Sequence, residues 1–396
     1  MANNANFLEI FPDQLNSDTQ LKLSNLQHFI TTELIPLELK AAESKQICHS
    51  LKKQVSRRSR ELGFFQMTQK EIGGTPATLQ ELVLFWEAIA TANLPKLGSS
   101  VFGPGAGMLA NATKQLKEKY LLPVLSGESH GAFGFTEPKD MKTRTTATIS
   151  QDGQYLLVTG IKSYVTGGDT ADFVAVMCQL NEHDGKRKGS SLVVVPTTLT
   201  GVSIDKVFHS IDSDMPGHAY MRFNQVQVPY WSIIGKGGGK SGMNNALKQI
   251  GNVRLHMSAT AVGTAIWALN YTKEHLIKPH RSGKSLSTHE GVQLRYGSLC
   301  TEVIAARSML YRTAHLLQVK DPQAKNALIF CKLFTTETAG RVVDGCVQLC
   351  GGMSIVVGNP LEAAYKRVRQ WRFAEGESDL LKLKMAKDIF QGRSHL

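Results

Sequence analysis

Three hydrophobic patterns follow one another along the chain. From about residue 15 to 125, apolar side chains recur at helical spacing, as in ELVLFWEAIATANL. From about 127 to 233, short β-branched or alternating runs such as YLLVTGIKSYVTG and SSLVVVP lie between clusters of turn residues. After residue 242 the helical period returns in three long runs. The pattern therefore predicts helices, then a sheet, then a bundle of long helices.

This order predicts an α+β protein in three parts, because helices and strands are segregated along the chain. They are an N-terminal helical domain (1–126), a middle sheet domain (127–234) and a C-terminal bundle of long helices (235–396). With 396 residues, the chain is too long for one small core. Its 42% hydrophobic and 20% charged residues are typical of soluble globular proteins. No apolar run approaches 18 residues, so we expect no membrane span.

The charge and the ends of the chain add expectations about partners and location. A formal net charge of +12 favours an anionic partner, whether nucleic acid, an acidic carrier protein or a phosphorylated cofactor. The N-terminus has no Lys or Arg before Lys22, so we expect neither a secretory signal nor a mitochondrial presequence, and predict a cytoplasmic protein. The ending Ser394-His395-Leu396 resembles a peroxisomal signal, which makes the peroxisome the alternative.

Neither a metal site nor a phosphate loop is expected. The six cysteines form no CxxC pair and lie in apolar or helical surroundings, which predicts reduced core residues. The 12 histidines show no zinc-binding spacing. The glycine-rich stretch GKGGGKSG (235–242) falls short of a Walker loop, since the motif would need glycine where Ile234 stands. We interpret this stretch as a flexible hinge.

Two carboxylates flank a glycine near the C-terminus, at Glu375, Gly376 and Glu377. A structural interpretation is a helix entry, with Glu377 or Ser378 as the N-cap and acids complementing the helix dipole. The predicted buried side of that helix comprises Leu380, Leu381, Leu383 and Met385. The alternative is that one of the carboxylates performs chemistry, and the rest of the chain bears on that choice.

Five stretches, taken in order, resemble the acyl-CoA dehydrogenase family. They are GAFGFTEPKD (131–140), GIKSYVTGGDTADFVAV (160–176), VQVPYWSIIGKGGG (226–239), DGCVQLCGGMSI (344–355) and FAEGESDLL (373–381). The resemblance covers nearly the whole chain and agrees with the order of helices, sheet and helices. It implies that the middle domain (127–234) is β-barrel-like and that the C-terminal domain (235–396) is a four-helix bundle. It implies an FAD-dependent enzyme that introduces an α,β double bond into an acyl thioester, either acyl-CoA or an acyl group on a carrier protein.

The resemblance also implies roles for individual residues. Glu375 matches the glutamate that removes the α-proton of the thioester, while the β-hydrogen leaves as hydride to flavin N5. Burial in an apolar pocket would raise the pKa of this carboxyl. Arg254 matches an arginine that the family keeps near the base. Gly376 would let the chain turn beside the cofactor without a side chain.

Further matches predict how FAD is held and how the chain assembles. The implied cofactor-binding residues are Phe133, Phe135 and Thr136 from one loop, Tyr164 and Thr166 from a second, and Gln348, Gly351 and Gly352 toward a neighbouring subunit's FAD. For Tyr164 and Thr166 the alternative is ordinary strand content, for Arg254 a structural or solvated arginine, and for Gly351 and Gly352 a helix C-cap. We expect a homodimer or homotetramer. A flavoprotein is a further expected partner, as electron acceptor.

Three departures from the family pattern bear on substrate and FAD binding. The loop after Thr136-Glu137-Pro138 is shortened and lacks the usual Gly-Ser-Asp. Glu377 stands where the family has a hydroxyl residue near FAD. Arg281 is predicted to replace, from a shifted position, the usual pyrophosphate-binding arginine. The altered loop indicates an unusual acyl-CoA or a carrier-bound substrate.

Two alternative functions stay open at this point. One is a flavin oxidase or monooxygenase on the same fold, against which Glu375 argues because a monooxygenase needs no such base. The other is a non-catalytic, nucleic-acid-binding relative. We do not expect a nucleic-acid partner, because Lys and Arg are scattered apart from a short cluster at Lys366, Arg367, Arg369 and Arg372.

Overall fold

The computed structural model describes residues 15–69, 76–139, 141, 144–212 and 216–393. These residues form two compact units. The helical unit draws its described residues from 1–62, 77–101 and 253–396, and the sheet unit draws them from 63–76 and 102–252. The ending Ser394-His395-Leu396 lies outside the described residues.

Helices occupy both ends of the chain, as the sequence pattern predicts. The α-helices in the described residues are α1 Ser17–Phe29, α2 Ile35–Ala41, α3 Lys45–Glu61, α4 Leu79–Thr91, α5 Lys114–Leu116, α6 Leu122–Ser126, α7 Ser241–Leu276, α8 Glu290–Gln318, α9 Ala324–Cys350, α10 Pro360–Gln370 and α11 Ser378–Phe390. A capping box at Thr78 and Glu81 begins α4. The long helices α7, α8 and α9 match the three long helical runs in the sequence.

The middle of the chain folds into a curled seven-stranded sheet, which confirms the expected sheet domain. Its strands are β1 Gly131–Gly134, β2 Thr146–Ile149, β3 Tyr155–Thr166, β4 Phe173–Asn181, β5 Arg187–Pro196, β6 Val202–Phe208 and β7 His218–Pro229. The strand order is β1-β4-β2-β3-β7-β6, with β5 also paired to β4. Strand β4 runs parallel to β1 and β2, whereas the other pairs are antiparallel.

Strand β4 is buried on both faces. Val174 and Val176 belong to the core that the sheet encloses. The alternate residues Phe173, Ala175 and Met177 belong to a second core on the other face. That core is completed from outside the sheet by Leu109, Leu116, Tyr120, Leu121 and Leu125. Two-sided burial explains the near-continuous apolar run FVAVMC, which lacks the alternation of a half-exposed strand.

The helical unit has one large apolar core with a buried ion pair beside it. The core takes residues from α4, α7, α8, α9 and α10, among them Val83, Val262 and Val303. Glu87 of α4 and Arg307 of α8 are 5% and 8% exposed, and Arg307 Nη2 lies 2.9 Å from Glu87 Oε1. This ion pair joins α4 to a helix more than 200 residues further along the chain.

The glycine-rich stretch before α7 is anchored to β5, although the sequence suggested a flexible hinge. Ser190 N donates to Gly239 O at 2.9 Å, and Gly238 N donates to Ser191 Oγ at 2.9 Å. A Cβ on Gly189 would lie 2.2 Å from Gly239 N, and a Cβ on Gly242 would lie 2.6 Å from Ser191 N, so the backbones can approach only because residues 189 and 242 are glycines. The glycines thus permit close backbone packing within the sheet unit.

Helix α11 buries a narrower face than the sequence predicts. Leu381 and Met385 are buried against Ile329 and Leu333 of α9, four residues apart as one helical face requires. Leu380 and Leu383, predicted to be buried with them, are 66% and 51% exposed. The two exposed leucines point away from α9, since their positions on the helix fall outside the stripe that Leu381 and Met385 define.

Candidate active site

A short turn between α10 and α11 presents Glu375. The residue adopts the left-handed conformation with φ +54°, and Gly376 follows with φ +112°. Two cations of the helical unit hold this turn through its backbone. Arg254 of α7 donates from Nε and Nη2 to Glu375 O at 2.9 and 2.7 Å, and Lys332 of α9 donates from Nζ to Gly376 O at 2.8 Å.

Glycine at 376 is required by this packing. A Cβ there would lie 3.0 Å from Arg254 Nη2 and 3.1 Å from the Leu381 methyl carbons, and φ +112° disfavours any other residue. The close approach allows Arg254 to reach the Glu375 carbonyl. The sequence predicted that Gly376 leaves space beside the cofactor. In the structure, the group that occupies the space next to Gly376 is the Arg254 guanidinium.

The Glu375 carboxyl has the electrostatics expected of a general base. Burial raises its pKa above the ordinary glutamate value, and the positive charges of Arg254 and Lys332 oppose that rise. The direction agrees with the expectation from the sequence. A carboxylate with a raised pKa is closer in basicity to a weakly acidic carbon than an exposed carboxylate would be.

Glu377, the second carboxylate of the turn, caps helix α11. Its carboxylate accepts hydrogen bonds from Asp379 N at 3.0 Å and Leu380 N at 2.9 Å, which makes it the N-cap of α11. These two hydrogen bonds lower its pKa. The helix-entry interpretation thus applies to Glu377, and Ser378 is buried behind it as the first helical residue.

Sequence reasoning missed Lys332. Its side chain is 0% exposed, and it occurs within ALIFCKLF, where Leu328, Ile329 and Leu333 are buried neighbours. Burial, followed by the nearby charge of Arg254, lowers its pKa to about 8. The available signal was a single lysine in an otherwise apolar segment of a helix, because a buried ammonium needs a specific acceptor.

In the sheet unit, strand β1 and the loop after it bring the predicted Phe133, Phe135 and Thr136 together. The two phenylalanine rings are partly buried with centroids 5.6 Å apart, and Thr136 is exposed. Ser163 N of β3 donates to Thr136 O at 2.9 Å. This hydrogen bond places the loop beside the second predicted stretch of flavin-binding residues.

That second stretch contains a β-bulge at Tyr164. The pairing of β3 with β7 shifts register between Lys162 and Val165, and Tyr164 within the shift has φ +54°. The bulge leaves its ring 63% exposed and stacked on Phe208, with centroids 5.7 Å apart. Thr166 is also exposed, and its hydroxyl lies 3.0 Å from His218 Nδ1. Bulges often redirect side chains beside functional sites.

An ion pair between a buried lysine and a half-buried glutamate, also not predicted from the sequence, supports both stretches. Lys162 is 1% exposed and donates from Nζ to Glu137 Oε1 at 2.9 Å and to Phe135 O at 3.2 Å. Burial favours protonated Glu137, but the hydrogen bonds from Lys162 and from Thr145 N outweigh it, so its pKa is lowered. The Glu137–Lys162 pair fixes the loop that carries Phe135 and Thr136.

The sheet-unit residues fit a flavin. A large exposed aromatic ring, that of Tyr164, is available to lie against a planar ring system. The hydroxyls of Thr136 and Thr166 are exposed and can bond to polar ring atoms. Ser163 Oγ between them is buried without a hydrogen-bond partner among the described residues, which indicates a polar group still to be bound.

The remaining predicted cofactor residues lie on the exterior of the helical unit. Gln348 is exposed on the last turn of α9, and Gly351 ends that helix with φ +75°. The C-cap interpretation therefore holds for Gly351, and Gly352 begins the next turn. Arg281 is exposed in the loop between α7 and α8. The structure does not bring Arg281 to Glu375 or to Gln348 through any described contact.

The basic cluster on α10 makes internal contacts. Lys366 forms an ion pair with Glu362, and Arg367 Nη2 donates to Asn93 Oδ1 at 2.8 Å. The guanidinium of Arg369 lies 4.9 Å from the centroid of the Phe373 ring. Such contacts are expected of residues that pack a helix in place, rather than of a cationic stripe left for phosphates.

The described part of the chain lacks two other kinds of site. No helix in it is long and apolar enough to cross a membrane. No group of three or more His, Cys, Asp or Glu side chains there could hold a metal ion. The six cysteines are unbridged. Cys178, Cys300, Cys331 and Cys346 are buried core residues as predicted, whereas Cys48 and Cys350 are half-buried.

Comparison with known proteins covers almost the entire chain. Residues 17–128, 132–226 and 240–390 match the family models for the acyl-CoA dehydrogenase N-terminal, middle and C-terminal domains. The mitochondrial isobutyryl-CoA dehydrogenase of Dictyostelium discoideum is 25% identical over 85% of this chain and 81% of its own length. Acryloyl-CoA reductase (NADH) of Anaerotignum propionicum is 29% identical over 81% of this chain and 82% of its own.

A solved structure shows the same fold. Glutaryl-CoA dehydrogenase from Mycobacterium smegmatis, in complex with FADH2, superimposes with a TM-score of 0.79. The match covers 96% of this chain and 97% of that one, at 18% identity.

Proposed function

Because the chain belongs to the acyl-CoA dehydrogenase family of FAD-dependent oxidoreductases, we propose that it oxidises the α,β bond of an acyl thioester with Glu375 as the base. The observation that carries this assignment is the Glu375 turn. A half-buried carboxyl with a raised pKa is held in a left-handed conformation by hydrogen bonds from two cations to consecutive carbonyls. A helix cap would need none of these features.

The chain's residues divide the work of the reaction. The Glu375 carboxylate removes the α-proton, which becomes bound to its oxygen, while the β-hydrogen departs with its electron pair. Arg254 positions the base through the backbone carbonyl, and its charge favours the ionised form. Gly376 provides the space that Arg254 needs.

Bound FAD supplies the acceptor for the β-hydride. We propose that Phe133, Phe135, Thr136, Tyr164 and Thr166 hold it from the sheet unit. Gln348, Gly351 and Gly352 would hold the dinucleotide of a neighbouring subunit's FAD, and Arg281 would bind the FAD pyrophosphate in place of the usual arginine. Glu377 caps α11 in the structure. Its predicted contact with the cofactor remains a proposal, in addition to that observed function.

The substrate is proposed to be a thioester of coenzyme A or of a carrier protein. The +12 net charge would attract either anion. Relatives named as CoA-thioester dehydrogenases and reductases favour this chemistry over a flavin oxidase or monooxygenase. The internal contacts of Lys366, Arg367 and Arg369 likewise disfavour the nucleic-acid-binding alternative.

Assembly, electron acceptor and location are further proposals. We infer a homodimer or homotetramer, supported by an exposed apolar run after α9 that includes Ile355 at 67% and Val357 at 83% exposure. Two electrons leave the acyl group in each turnover, and we propose a separate flavoprotein as their acceptor. The proposed location is the cytoplasm, with the peroxisome as the alternative. The three-part division at 126/127 and 234/235 also remains a proposal, supported by the matched ranges of the family models.

The decisive experiment is Glu375→Gln with a panel of acyl thioesters under anaerobic conditions. Glutamine keeps the size of the side chain but cannot accept the α-proton, so flavin bleaching should slow by more than about 10²-fold to 10⁴-fold. FAD should remain bound, which its visible absorption would show. Sedimentation of the same preparation tests assembly, and a lone 43 kDa species with bound FAD would contradict the proposed oligomer.

Glu377→Gln is the matched control two residues away. Because Glu377 caps α11 through Asp379 N and Leu380 N, its loss should leave the rate of bleaching near that of the wild type. Normal bleaching of Glu375→Gln together with slow bleaching of Glu377→Gln would reverse the two roles. Normal bleaching of both variants would place the base elsewhere in the chain.

A further inference from the structure

Lys332 lies in the helical unit with its side chain fully buried, yet no ion pair joins it to a carboxylate in the described residues. Its one described hydrogen bond from Nζ goes to Gly376 O, at 2.8 Å. Burying an ammonium without a charged partner has a large free-energy penalty. A buried lysine therefore usually either loses its charge or donates to a well-placed hydrogen-bond acceptor. The acceptor here is the residue directly after Glu375.

Arg254 makes the equivalent contact one carbonyl earlier. It donates twice to Glu375 O, at 2.9 and 2.7 Å. Lys332 comes from α9 and Arg254 from α7, so two separate helices hold consecutive carbonyls of one turn. This arrangement brings two positive charges close together. Their repulsion is unfavourable, so the hydrogen bonds to the two carbonyls must offset it.

The conformation of the turn explains that need. Glu375 has φ +54°, a left-handed conformation that a residue with a long side chain rarely adopts. Such a conformation persists only where its surroundings enforce it. Releasing one carbonyl would let the turn relax, and the Glu375 carboxyl would move with it.

We propose that Lys332 is a positioning residue, which, with Arg254, holds the Glu375-Gly376 backbone and thereby fixes the Glu375 carboxyl for proton abstraction. The inference rests on the proposed function of Glu375 and extends it to a residue that does not touch the substrate. Lys332 also acts on the charge of the base. Its ammonium favours ionised Glu375, together with Arg254.

Other charges around Lys332 affect its protonation. Arg254 opposes its positive charge, whereas Glu375, Glu377 and Glu337 support it. Burial is the larger influence and lowers the pKa of Lys332 to about 8, so the ammonium form predominates below that pH. Removing the ammonium should raise the pKa of Glu375, because one of its two stabilising cations is lost.

The test compares Lys332→Met, which removes both charge and donor, with Lys332→Gln, which removes the charge but keeps an N–H donor. Glu375 is titrated directly in the substrate-free, FAD-bound protein by the infrared absorption of its protonated carboxyl, identified by subtraction of Glu375→Gln. Both variants should move the midpoint upward by about one pH unit. The anaerobic bleaching rate of Lys332→Met should fall by about 10²-fold, since a displacement of about 1 Å has such effects, and Lys332→Gln should lose less.

Thr335→Val is the control for disturbance of α9. Thr335 is buried on the same helix, and its described side-chain hydrogen bonds stay within that helix, to Cys331 O at 2.7 Å and Lys332 O at 3.4 Å. This variant should leave both the infrared midpoint and the bleaching rate unchanged.

A folded Lys332→Met or Lys332→Gln protein with the wild-type midpoint and bleaching rate would overturn the inference. Failure of the proposed function looks different. In that case Glu375→Gln itself bleaches normally, while the infrared midpoint still reports whether Lys332 controls Glu375.

Discussion

At the scale of single residues, left-handed backbone marks one proposed functional residue in each unit. Five non-glycine residues in the described chain have positive φ, and two of them are Tyr164 and Glu375. Each costs about 1–3 kcal/mol of conformational strain, which local packing must offset. At Tyr164 a bulge in the sheet imposes the conformation, whereas at Glu375 hydrogen bonds from Arg254 and Lys332 impose it.

The raised pKa of Glu375 predicts the acidic limb of the pH–rate profile. Only the ionised carboxylate accepts a proton, so kcat/KM should fall as pH falls through the pKa of the free enzyme. Because burial raises that pKa, the midpoint should lie above the ordinary glutamate value of about 4.3. The measurement is the initial rate with a saturating artificial electron acceptor. The pH runs from about 4 to about 9, which covers the ordinary pKa values of Glu and His.

Glu377→Gln again provides the comparison, because its carboxylate is occupied in capping α11. We expect that variant to keep the wild-type midpoint. A midpoint at or below the ordinary glutamate value in the wild type would contradict the assignment of a buried base.

Individual contacts of the site were harder to predict from sequence than its main residue. Glu375, Gly376 and Arg254 were nominated by resemblance, and the structure places all three in contact. Lys332 was not predicted, because its hydrogen-bond acceptor is a backbone carbonyl 44 residues away. Every residue has such a carbonyl, so the sequence does not show which one a lysine will bind. The Glu137–Lys162 pair could not be predicted either, because 25 residues separate its members.

At the scale of elements, the buried pair of Glu87 and Arg307 ties α4 to α8. Arg307 Nε donates to both carboxylate oxygens, at 3.0 and 3.1 Å, and Arg307 also lies over the Tyr311 ring. The pair was invisible in the sequence because 220 residues separate its members. Its burial makes each charge dependent on the other.

Removal of one partner should therefore destabilise the helical unit strongly. Glu87→Leu or Arg307→Leu alone should lower the free energy of unfolding by about 3–5 kcal/mol, because an unpaired charge stays buried. The double variant should recover much of that loss. Urea unfolding followed by circular dichroism measures each value.

The exposed pair of Arg341 and Glu302 offers a matched comparison, since it also joins two long helices, α9 and α8, with N to O distance 2.6 Å. Arg341→Ala should change stability by less than about 1 kcal/mol. Equal losses at Arg341 and Arg307 would mean that burial does not decide the energy of these pairs.

Element types were predictable from periodicity, but faces and registers were less so. The apolar content of α11 predicted a wide buried face, whereas contact with Ile329 and Leu333 buries only Leu381 and Met385. The bulge at Tyr164 falls on a residue type that favours strands, so the local sequence does not mark the register shift between Lys162 and Val165. Both details depend on the partner element, which the local pattern does not specify.

At the scale of the whole molecule, compact units and chain order divide the protein differently. The sequence pattern placed a boundary at 126/127, where strands replace helices. The sheet unit nevertheless includes residues from 102 onward, because Leu116, Tyr120, Leu121 and Leu125 share a core with strands β4 and β5. Neighbouring helices thus complete the sheet that follows them.

That shared core has a consequence for anyone who excises the sheet as a separate polypeptide. A fragment of residues 127–234 would leave Phe173, Met177 and Leu192 uncovered, and a strand face of this kind promotes aggregation. We expect it to precipitate or to bind an apolar fluorescent dye strongly, while a fragment of residues 102–252 retains the covering side chains and stays monodisperse. Equal solubility of the two fragments would show that the natural place to cut this chain is where its pattern changes.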